Sequence, residues 1–313
     1  MAANNQSQNQ HMEFFINGFP GLHEVQHWFL IPFSVMFIVA SVGNLLVLLV
    51  IVKEQHLHEP MYYFISILSS LDLITDIIIL PQALAVLLLG TYAVHFDVCL
   101  LQMFFVYFTA AIESNVLALM AYDRYIAICK PLRYSSIVTN TFVFKGVLLV
   151  VVRCLTIGLP IPILARILPY CSKTSIYNVY CEYLAVINAA CAHTIMSDSY
   201  FLILLALAGL PDATLIGLSY YKIIRTALKL KSNEAQQKLV STCSSHAFVI
   251  ASFYLLSMLS IITGLVEDKM PAYIRVLFSF LYISVPPTLN PLIYGIKTKE
   301  IRRSIIKRCK NYF

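Results

Sequence analysis

An aspartate, an arginine and a tyrosine stand together at Asp123, Arg124 and Tyr125, directly after the apolar stretch 98–122. A carboxylate beside a guanidinium makes a strong charge-assisted pair. Where a membrane helix meets water, such a pair could act as a latch that is closed in one state and open in another. The alternative is that Arg124 only extends its charged end to the membrane surface.

Two acids, Asp72 and Glu113, interrupt otherwise apolar stretches of the chain. An unpaired carboxylate at bilayer depth is costly, so such residues pair, take up a proton or bind a cation. No nucleophile–base pair, metal-ligand cluster or phosphate-binding loop is visible among the motifs. The sequence therefore predicts a protein that is not an enzyme and that has no cofactor apart from such a cation.

The elements that carry these residues are predicted to be membrane helices. The 313 residues are 59% apolar and only 12% charged, with a mean hydropathy of +0.77, whereas a soluble domain carries about 25% charged residues. Three windows hold no Asp, Glu, Lys, Arg or His and are long enough to span a bilayer, namely 28–52, 247–266 and 276–296. Four more windows hold one or two, namely 61–89, 98–122, 146–165 and 199–221. The expected fold is an all-α seven-helix membrane bundle.

The basic residues predict how the chain is threaded through the membrane. The first 52 residues hold no Lys or Arg, and all but five of the 22 basic residues fall on the side that seven spans make cytoplasmic. We therefore expect an extracellular tail at 1–27, a seven-helix domain at 28–296 and a cytoplasmic segment at 297–313, in the plasma membrane. The net charge of +6 then reflects topology and indicates no nucleic acid partner.

The outer side carries residues that could be glycosylated or oxidised. Asn5 begins an Asn-Gln-Ser acceptor triplet for an N-linked glycan. Four cysteines fall at or beyond the outer ends of the spans, where disulfides form: Cys99, Cys171, Cys181 and Cys191. A bridge from Cys99 to the loop 169–194 would hold that loop over the bundle, and four cysteines allow three pairings.

Short motifs, taken in order, resemble those of the odorant receptors, a family of rhodopsin-like G-protein-coupled receptors. They are LHEPMY at 57–62, MAYDRYIAICKP at 120–131, Ser219-Tyr220, Lys238 with STCSSH at 241–246, and PPTLNPLIY at 286–294. The segment GFPGL at 18–22, followed by Trp28 and Pro32, is similar to the class I, fish-like branch. The resemblance covers about residues 14–303.

The resemblance implies a pairing of the cysteines and a site for a cation. In this family the third-helix cysteine pairs with the middle cysteine of the loop, which implies the disulfides Cys99–Cys181 and Cys171–Cys191. The position of Asp72 belongs to a sodium pocket in this superfamily, and four residues could supply its oxygen ligands: Asn44, Asp72, Glu113 and Asn290. The alternative is a protonated pair of acids that only joins two helices.

The resemblance also implies a cytoplasmic switch formed by Asp123, Arg124, Tyr220 and His246, with Tyr125 completing the triplet. At rest, Arg124 would be held by Asp123 and by polar groups near the start of the sixth helix. On activation that helix would swing outward and Arg124 would turn toward Tyr220, opening a cleft for a helix of the G protein. His246 has an alternative role as a hydrogen-bonded cap.

The ligand site is expected among the outer halves of the third, fifth and sixth helices, beneath the disulfide-tied loop. Alignment on the motifs puts these residues there: Met103, Phe104, Tyr107, Phe108, Leu184, Phe201, Leu204, Leu205, Tyr254, Met258, Ile261 and Leu265. Aromatic and aliphatic stripes in a bundle more often pack than bind, so about half of this set is expected to line the site. Tyr107 is the expected polar anchor.

The outer end of the sixth helix has no basic residue, and this limits the kinds of ligand that we expect. Some class I receptors resemble fatty-acid detectors with a basic residue there, but the segment 261–266 offers none. A carboxylate would lack a charge-assisted partner, so a small neutral apolar odorant is expected. Glu182 and Asp198 leave a cationic amine as an alternative, unless both are only solvated loop charges.

The segment 298–311 places Ile301, Ile305 and Ile306 on one helical face, with basic residues around it. This pattern predicts an amphipathic helix that contacts the anionic lipids of the inner leaflet. Cys309 on this segment is a candidate for palmitoylation, with a free thiol as the alternative.

The sequence therefore predicts an odorant receptor that binds a small molecule and activates a stimulatory, olfactory-type heterotrimeric G protein to raise cAMP. A receptor of the same family that senses a metabolite or an amine outside the nose is one alternative. A transporter or channel is another, but we see neither the inverted repeats nor the paired Gly- or Pro-broken helices that it would require.

Overall fold

The computed structural model describes residues 13–22, 24–170, 174–191, 195–230, 232–266 and 269–312. Within these ranges, seven helices are long and apolar enough to cross a membrane. In chain order the long helices are α1 (Leu30–Lys53), α2 (Pro60–Leu89), α3 (Phe96–Cys129), α4 (Asn140–Gly158), α5 (Ile195–Ala227), α6 (Asn233–Leu265) and α7 (Ala272–Lys297). A shorter helix, α8 (Lys299–Tyr312), follows. The predicted fold class is confirmed.

Proline and short polar residues set where several helices begin. Pro60 is the first residue of α2, where an N–H would have no helical partner in any case. Thr139 caps α4, because its hydroxyl oxygen accepts a hydrogen bond of 3.1 Å from the Phe142 N–H. The fourth crossing is completed by a separate short helix, Pro160–Arg166. Other short helical segments are Gln26–Phe29, Gln55–Leu57, Pro131–Arg133, Tyr134–Ile137 and Tyr183–Asn188.

The helices differ in how deeply they are buried. In the most apolar window of each helix, 56% of the residues are buried in α3 and in α7, against 17% in α5. Large apolar side chains cover the outside of the bundle, and Ile77 of α2 is 72% exposed. Such a surface suits lipid, where apolar side chains need no cover and the helices satisfy their own backbone groups.

The buried apolar side chains form two clusters. One lies toward the end of the bundle where α3 begins, which we call the outer end, and the other toward the end where α3 finishes, which we call the inner end. The outer cluster includes Phe14, Phe96 and Phe280. The inner cluster includes Val116 and Ile250. The outer cluster therefore joins the amino-terminal segment to α3 and α7, whereas the inner cluster joins α3 to α6.

A small sheet covers the outer end of the bundle. Its strands are β1 (Glu13–Ile16), β2 (Tyr92–His95) and β3 (Thr174–Ile176), in the order β2-β1-β3. Strand β1 is antiparallel to β2 and parallel to β3. The Phe14 ring packs edge-on against the rings of Phe96 and Tyr170, with centroid distances of 5.3 and 5.1 Å. The segment expected as an extracellular tail thus contains a strand that packs on the bundle.

Helix α8 lies against the inner end of the bundle. Ile301 is fully buried, and exposed Arg302 and Arg303 follow it. Arg308 Nη2 lies 3.0 Å from Glu54 Oε1, in the turn between α1 and α2. The observed bounds agree with the helix expected at 298–311.

Candidate functional site

A cavity of about 150 Å³ lies between α3, α4, α5, α6 and α7, beneath the loop that joins α4 to α5. Most of its wall is apolar, and Val106, Leu204 and Phe253 are among the residues that line it. Polar side chains cluster at its outer and inner ends. An apolar cavity with a few convergent polar groups is the usual form of a small-molecule site.

Half of the residues expected to line the ligand site do line this cavity: Tyr107, Leu204, Leu205, Tyr254, Met258 and Ile261. The other half lie elsewhere: Met103, Phe104, Phe108, Leu184, Phe201 and Leu265. The motifs fix the register of each helix along the sequence, but the rotation of a helix depends on its neighbours.

Aromatic packing explains three of the displaced residues. Phe104 and Phe108 stack on each other, with ring centroids 5.4 Å apart. Phe201 stacks on Tyr183 of the loop, with ring centroids 4.4 Å apart. These side chains therefore support the cavity wall from behind.

The remaining three are placed by packing at the outer end. Met103 is fully buried in the outer cluster, and Leu265 is 38% exposed. Leu184 packs against α6, where a Cβ on Gly264 would lie only 2.6 Å from Leu184 Cδ1. A glycine at that position lets the loop approach the helix closely.

The roof of the cavity is held by the disulfide Cys99–Cys181, whose Cα atoms are 5.4 Å apart. This confirms one of the two predicted bridges. The backbone N–H of Cys181 also donates to Gln102 Oε1 at 2.8 Å. Tyr180 and Tyr183 are almost fully buried on either side of the bridge. The roof is thus fixed to α3 by a covalent bond and a hydrogen bond.

Glu182 lines the cavity next to this disulfide. Its carboxylate accepts hydrogen bonds from the Tyr107 hydroxyl at 3.0 Å and from the N–H groups of Leu184 and Ala185 at 3.1 and 2.9 Å. Burial raises the pKa of Glu182, and these donors and Arg275 act in the opposite direction because they favour the charged form. The sequence left Glu182 either as a partner for a cationic amine or as a solvated loop charge, and the structure makes it part of the cavity wall.

The floor of the cavity is a polar network that the sequence analysis missed. Ser114 Oγ donates to Asp212 Oδ2 and contacts the Tyr254 hydroxyl, both at 2.8 Å. Arg153 of α4 pairs with Asp212 of α5 at 2.8 Å. Arg153 Nη1 also donates to Asn115 Oδ1. The signal was present, since Arg153 and Asp212 are charges of opposite sign that interrupt two apolar windows.

Deeper in the bundle, the structure brings together the four residues of the expected sodium pocket. Asn290 Nδ2 donates to Asp72 Oδ2 at 3.0 Å, and Asn44 Nδ2 donates to the Pro287 carbonyl at 2.9 Å. One side-chain oxygen of each of Asn44, Asp72, Glu113 and Asn290 is buried without a hydrogen-bond partner in the described part of the chain. Carboxylate and amide oxygens are the ligands that hard cations prefer, so this donor set fits Na⁺.

At the inner end, the residues of the expected switch lie close together. Arg124 Nη2 lies 3.0 Å from Asp123 Oδ2, and Asp123 is fully buried. The Tyr134 hydroxyl donates to Asp123 Oδ1 at 2.8 Å. The Tyr220 hydroxyl contacts His246 Nδ1 at 2.9 Å, which joins α5 to α6.

Tyr125 lies beside the switch and has basic neighbours. Lys130 Nζ and Lys222 Nζ lie 5.6 and 5.0 Å from the centroid of its ring. The contact between Arg124 and the start of the sixth helix stays a prediction.

Some predicted residues lie outside what the structure describes. Asn5 and Cys171 fall outside the described ranges, and the side chain of Cys309 is likewise not described. Cys191 is disulfide-bonded. The Cys171–Cys191 pairing, the glycan and the palmitoylation therefore stay predictions.

Comparisons with known proteins agree with this architecture. The family described as olfactory receptor matches residues 33–311. Human olfactory receptor 52N5 is 39% identical over 296 residues, with 94% of this chain and 91% of that protein covered. Human olfactory receptor 52B2 is 37% identical over 295 residues, with the same coverage of both chains.

Among solved structures, the crystal structure of squid rhodopsin matches with a TM-score of 0.73. It covers 91% of this chain and 85% of its own, at 16% identity, so this likeness shows the fold. The sequence matches show more, because they extend over nearly the whole chain. The chain therefore belongs to the olfactory receptor family, as a multi-pass plasma-membrane receptor that binds a small molecule and signals through a G protein and is not an enzyme.

Proposed function

We propose that this receptor detects a small, neutral, largely apolar odorant in the cavity beneath the disulfide-tied loop. The response is activation of a stimulatory, olfactory-type heterotrimeric G protein, so that cAMP rises. The observation that carries the proposal is the cavity itself, a mostly apolar space of about 150 Å³ with few polar groups. An apolar cavity of about that size holds benzene, which sets the scale of the ligand.

Helix α6 offers a route from the cavity to the cytoplasm. It contributes Tyr254, Met258 and Ile261 to the cavity wall, and it carries His246 at its inner part. Suppose that α6 can occupy two positions relative to the rest of the bundle. A ligand that binds the receptor more tightly in one of these two conformations raises the population of that conformation. An outward movement of α6 would break the contact between His246 and Tyr220.

Release of Tyr220 prepares the second step. Arg124 is 22% exposed and is held by Asp123, so it needs a new partner once it turns away from that carboxylate. The Tyr220 hydroxyl is the partner that we propose for the active state. The space left between α3, α5 and α6 then accepts a helix of the G protein.

A sodium ion is proposed to stabilise the resting state. Asn44, Asp72, Glu113 and Asn290 would hold it through the four buried oxygens that have no donor in the described part of the chain. The charge of the cation would offset the cost of keeping two carboxylates away from water. Removal of the ion would leave those carboxylates uncompensated and favour rearrangement of α7.

The amino terminus is proposed to lie outside the cell and α8 to lie on the inner leaflet. Exposed Arg302, Arg303 and Lys307 face away from buried Ile301, as an interfacial helix on anionic lipid requires. Palmitate on Cys309 would add a second anchor.

A cAMP assay on intact cells tests the main proposal. Cells that express the receptor at the surface are exposed to a panel of small odorants of matched size, with Arg124→Ala as the matched control for signalling. We expect some members of the panel to raise cAMP through the wild type and none through the variant. A response that raises cytosolic calcium without cAMP, or equal responses from both proteins, would refute the proposal.

A further inference from the structure

We propose that the polar group of the ligand is a hydrogen-bond donor, an alcohol hydroxyl or a protonated amine, which Glu182 and Tyr107 recognise at the outer end of the cavity. This inference rests on the proposed function for the site and the signal, and it widens the proposed ligand from a neutral molecule to one that is neutral or cationic. It follows from the hydrogen bonds in which the polar groups at the two ends of the cavity already donate their protons.

At the outer end of the cavity, the hydroxyl proton of Tyr107 is already used. Tyr107 gives its only hydroxyl proton to Glu182 Oε1, which also accepts the Leu184 N–H. Glu182 Oε2 accepts the Ala185 N–H at 2.9 Å. A carboxylate has about four acceptor sites, so a site on Glu182 remains free among these contacts. This end of the cavity therefore presents lone pairs to a ligand.

At the inner end of the cavity, the hydroxyl protons are likewise already donated within the protein. The single hydroxyl proton of Ser114 goes to Asp212, so Tyr254 must be the donor in its 2.8 Å contact with Ser114. Asp212 is held in turn by Arg153, whose Nη2 donates to backbone carbonyl oxygens of α5 at 3.0 and 2.6 Å. Both chains of donors thus end on a carboxylate, and the floor also presents lone pairs.

The hydroxyl groups along the cavity wall, between its two ends, do not favour an acceptor ligand over a donor ligand. The Ser257 hydroxyl donates to the Tyr254 carbonyl at 3.0 Å. Three more hydroxyls line the cavity, those of Tyr180, Ser260 and Tyr282. The Tyr180 hydroxyl accepts a hydrogen bond of 3.0 Å from Ser279 Oγ, so its own proton can be donated. These three hydroxyls can donate or accept, so they suit either kind of ligand.

Discrimination therefore falls to the ends. A carbonyl or carboxylate placed against Glu182, or against the Ser114–Tyr254 pair, would face an acceptor with no proton between them. A buried polar group without a partner is strongly disfavoured.

Four probes of nearly equal size separate the possibilities: benzyl alcohol, benzylammonium, benzaldehyde and benzoate. The full-length purified receptor is heated with each of them, and the rise in melting temperature reports binding. We expect benzyl alcohol and benzylammonium to bind at least about tenfold more tightly than benzaldehyde or benzoate. The first two probes also separate a neutral donor from a charged one.

Two variants assign the preference to Glu182. Glu182→Gln replaces a lone pair by an amide N–H, so it should lower the affinity for benzylammonium by about tenfold and raise that for benzaldehyde. Asp198→Asn removes an acid from the outer part of α5 that does not line the cavity. It should leave all four affinities within about twofold of the wild type.

Three results would overturn the inference: equal affinities for the four probes, a preference for benzoate, or no rise in melting temperature with any probe. The same loss of benzylammonium binding in Glu182→Gln and Asp198→Asn would also overturn it, because the effect would then be one of general charge. Failure of the proposed function is a different result. In that case the donor probes bind selectively, yet no compound raises cAMP in cells.

Discussion

The outer and inner ends of this bundle are held together by different kinds of interaction. At the outer end, a disulfide, a three-stranded sheet and packed aromatic rings join the loop and the amino-terminal segment to α3. At the inner end, the contacts that join the switch residues are polar: Arg124 with Asp123, Tyr134 with Asp123, and Tyr220 with His246.

These interactions differ in how much free energy is needed to rearrange them. A disulfide that closes a loop of 82 residues stabilises a protein by roughly 4–5 kcal/mol in the chain-entropy model. A single hydrogen bond contributes about 1 kcal/mol. A ligand that favours one state by a few kcal/mol can therefore rearrange the inner end while the outer end keeps its shape. In the proposed mechanism, the outer end therefore positions the ligand and the inner end responds to it.

Loss of the disulfide at the outer end of the bundle should have the largest effect, a loss of folded receptor at the cell surface. Cys99→Ala removes the covalent link between α3 and the roof of the cavity, at a cost of roughly 4–5 kcal/mol. We expect surface receptor, measured by flow cytometry on an amino-terminal tag, to fall close to background. The control is Cys129→Ala, because Cys129 is a free cysteine at the end of α3. Normal surface levels of Cys99→Ala would contradict the comparison.

Breaking the inner end should affect signalling and spare folding. Arg124→Ala removes the guanidinium that the proposed active state requires, and the side chain is partly exposed in this structure. We expect ligand-evoked cAMP to fall by more than about tenfold, with surface expression close to that of the wild type. Lys145→Ala, near the start of α4, removes an exposed positive charge that is not one of the switch residues and should signal normally. A normal cAMP response from Arg124→Ala would refute the switch.

A smaller change at the outer end tests the packing of the amino-terminal segment. Gly18 has φ +42°, and a Cβ there would lie 2.8 Å from Gln26 Oε1. Gly18→Ala should therefore destabilise the receptor by about 1–2 kcal/mol. The melting temperature of the purified protein should fall by a few degrees. Gly217→Ala in α5 meets open space and should not lower it. Equal melting temperatures for both variants would show that the segment contributes little.

The smallest expected effect comes from removing one hydrogen bond at the inner end of the bundle. Tyr134→Phe removes the hydroxyl that donates to buried Asp123, a contact of about 1 kcal/mol. Arg124 should then leave Asp123 more readily, so that basal cAMP without ligand rises by about two- to fivefold. Ser136→Ala, in the same short helix, is the control because its hydroxyl donates to the local backbone carbonyl of Arg133, with no other partner among the described residues. Unchanged basal cAMP in Tyr134→Phe would exclude Tyr134 from the latch.

The helices themselves could be predicted closely from the sequence. The window 61–89 became Pro60–Leu89, and 98–122 lies within Phe96–Cys129. Hydropathy is summed over neighbouring residues, and a helix in lipid satisfies its own backbone groups, so each span is determined locally. The motifs likewise identified Cys99 and Cys181, because the family resemblance carries a pairing that spacing alone leaves open.

The site was predicted only in part. Tyr107 and Met258 line the cavity, whereas Phe104 and Phe201 lie behind its wall. A turn of helix presents residues in every direction, and which of them face the cavity depends on side chains from three or four other elements.

The sequence by itself thus determined the spans, the order of the motifs and the family. Only the tertiary structure decided that Arg153 pairs with Asp212, that Glu182 lines the cavity, and that the strand Glu13–Ile16 joins the roof. The physical reason is the separation along the chain of the residues that interact. Membrane insertion depends on residues that are adjacent in the chain, whereas these contacts join residues far apart in sequence, and their partners are set only when the helices pack.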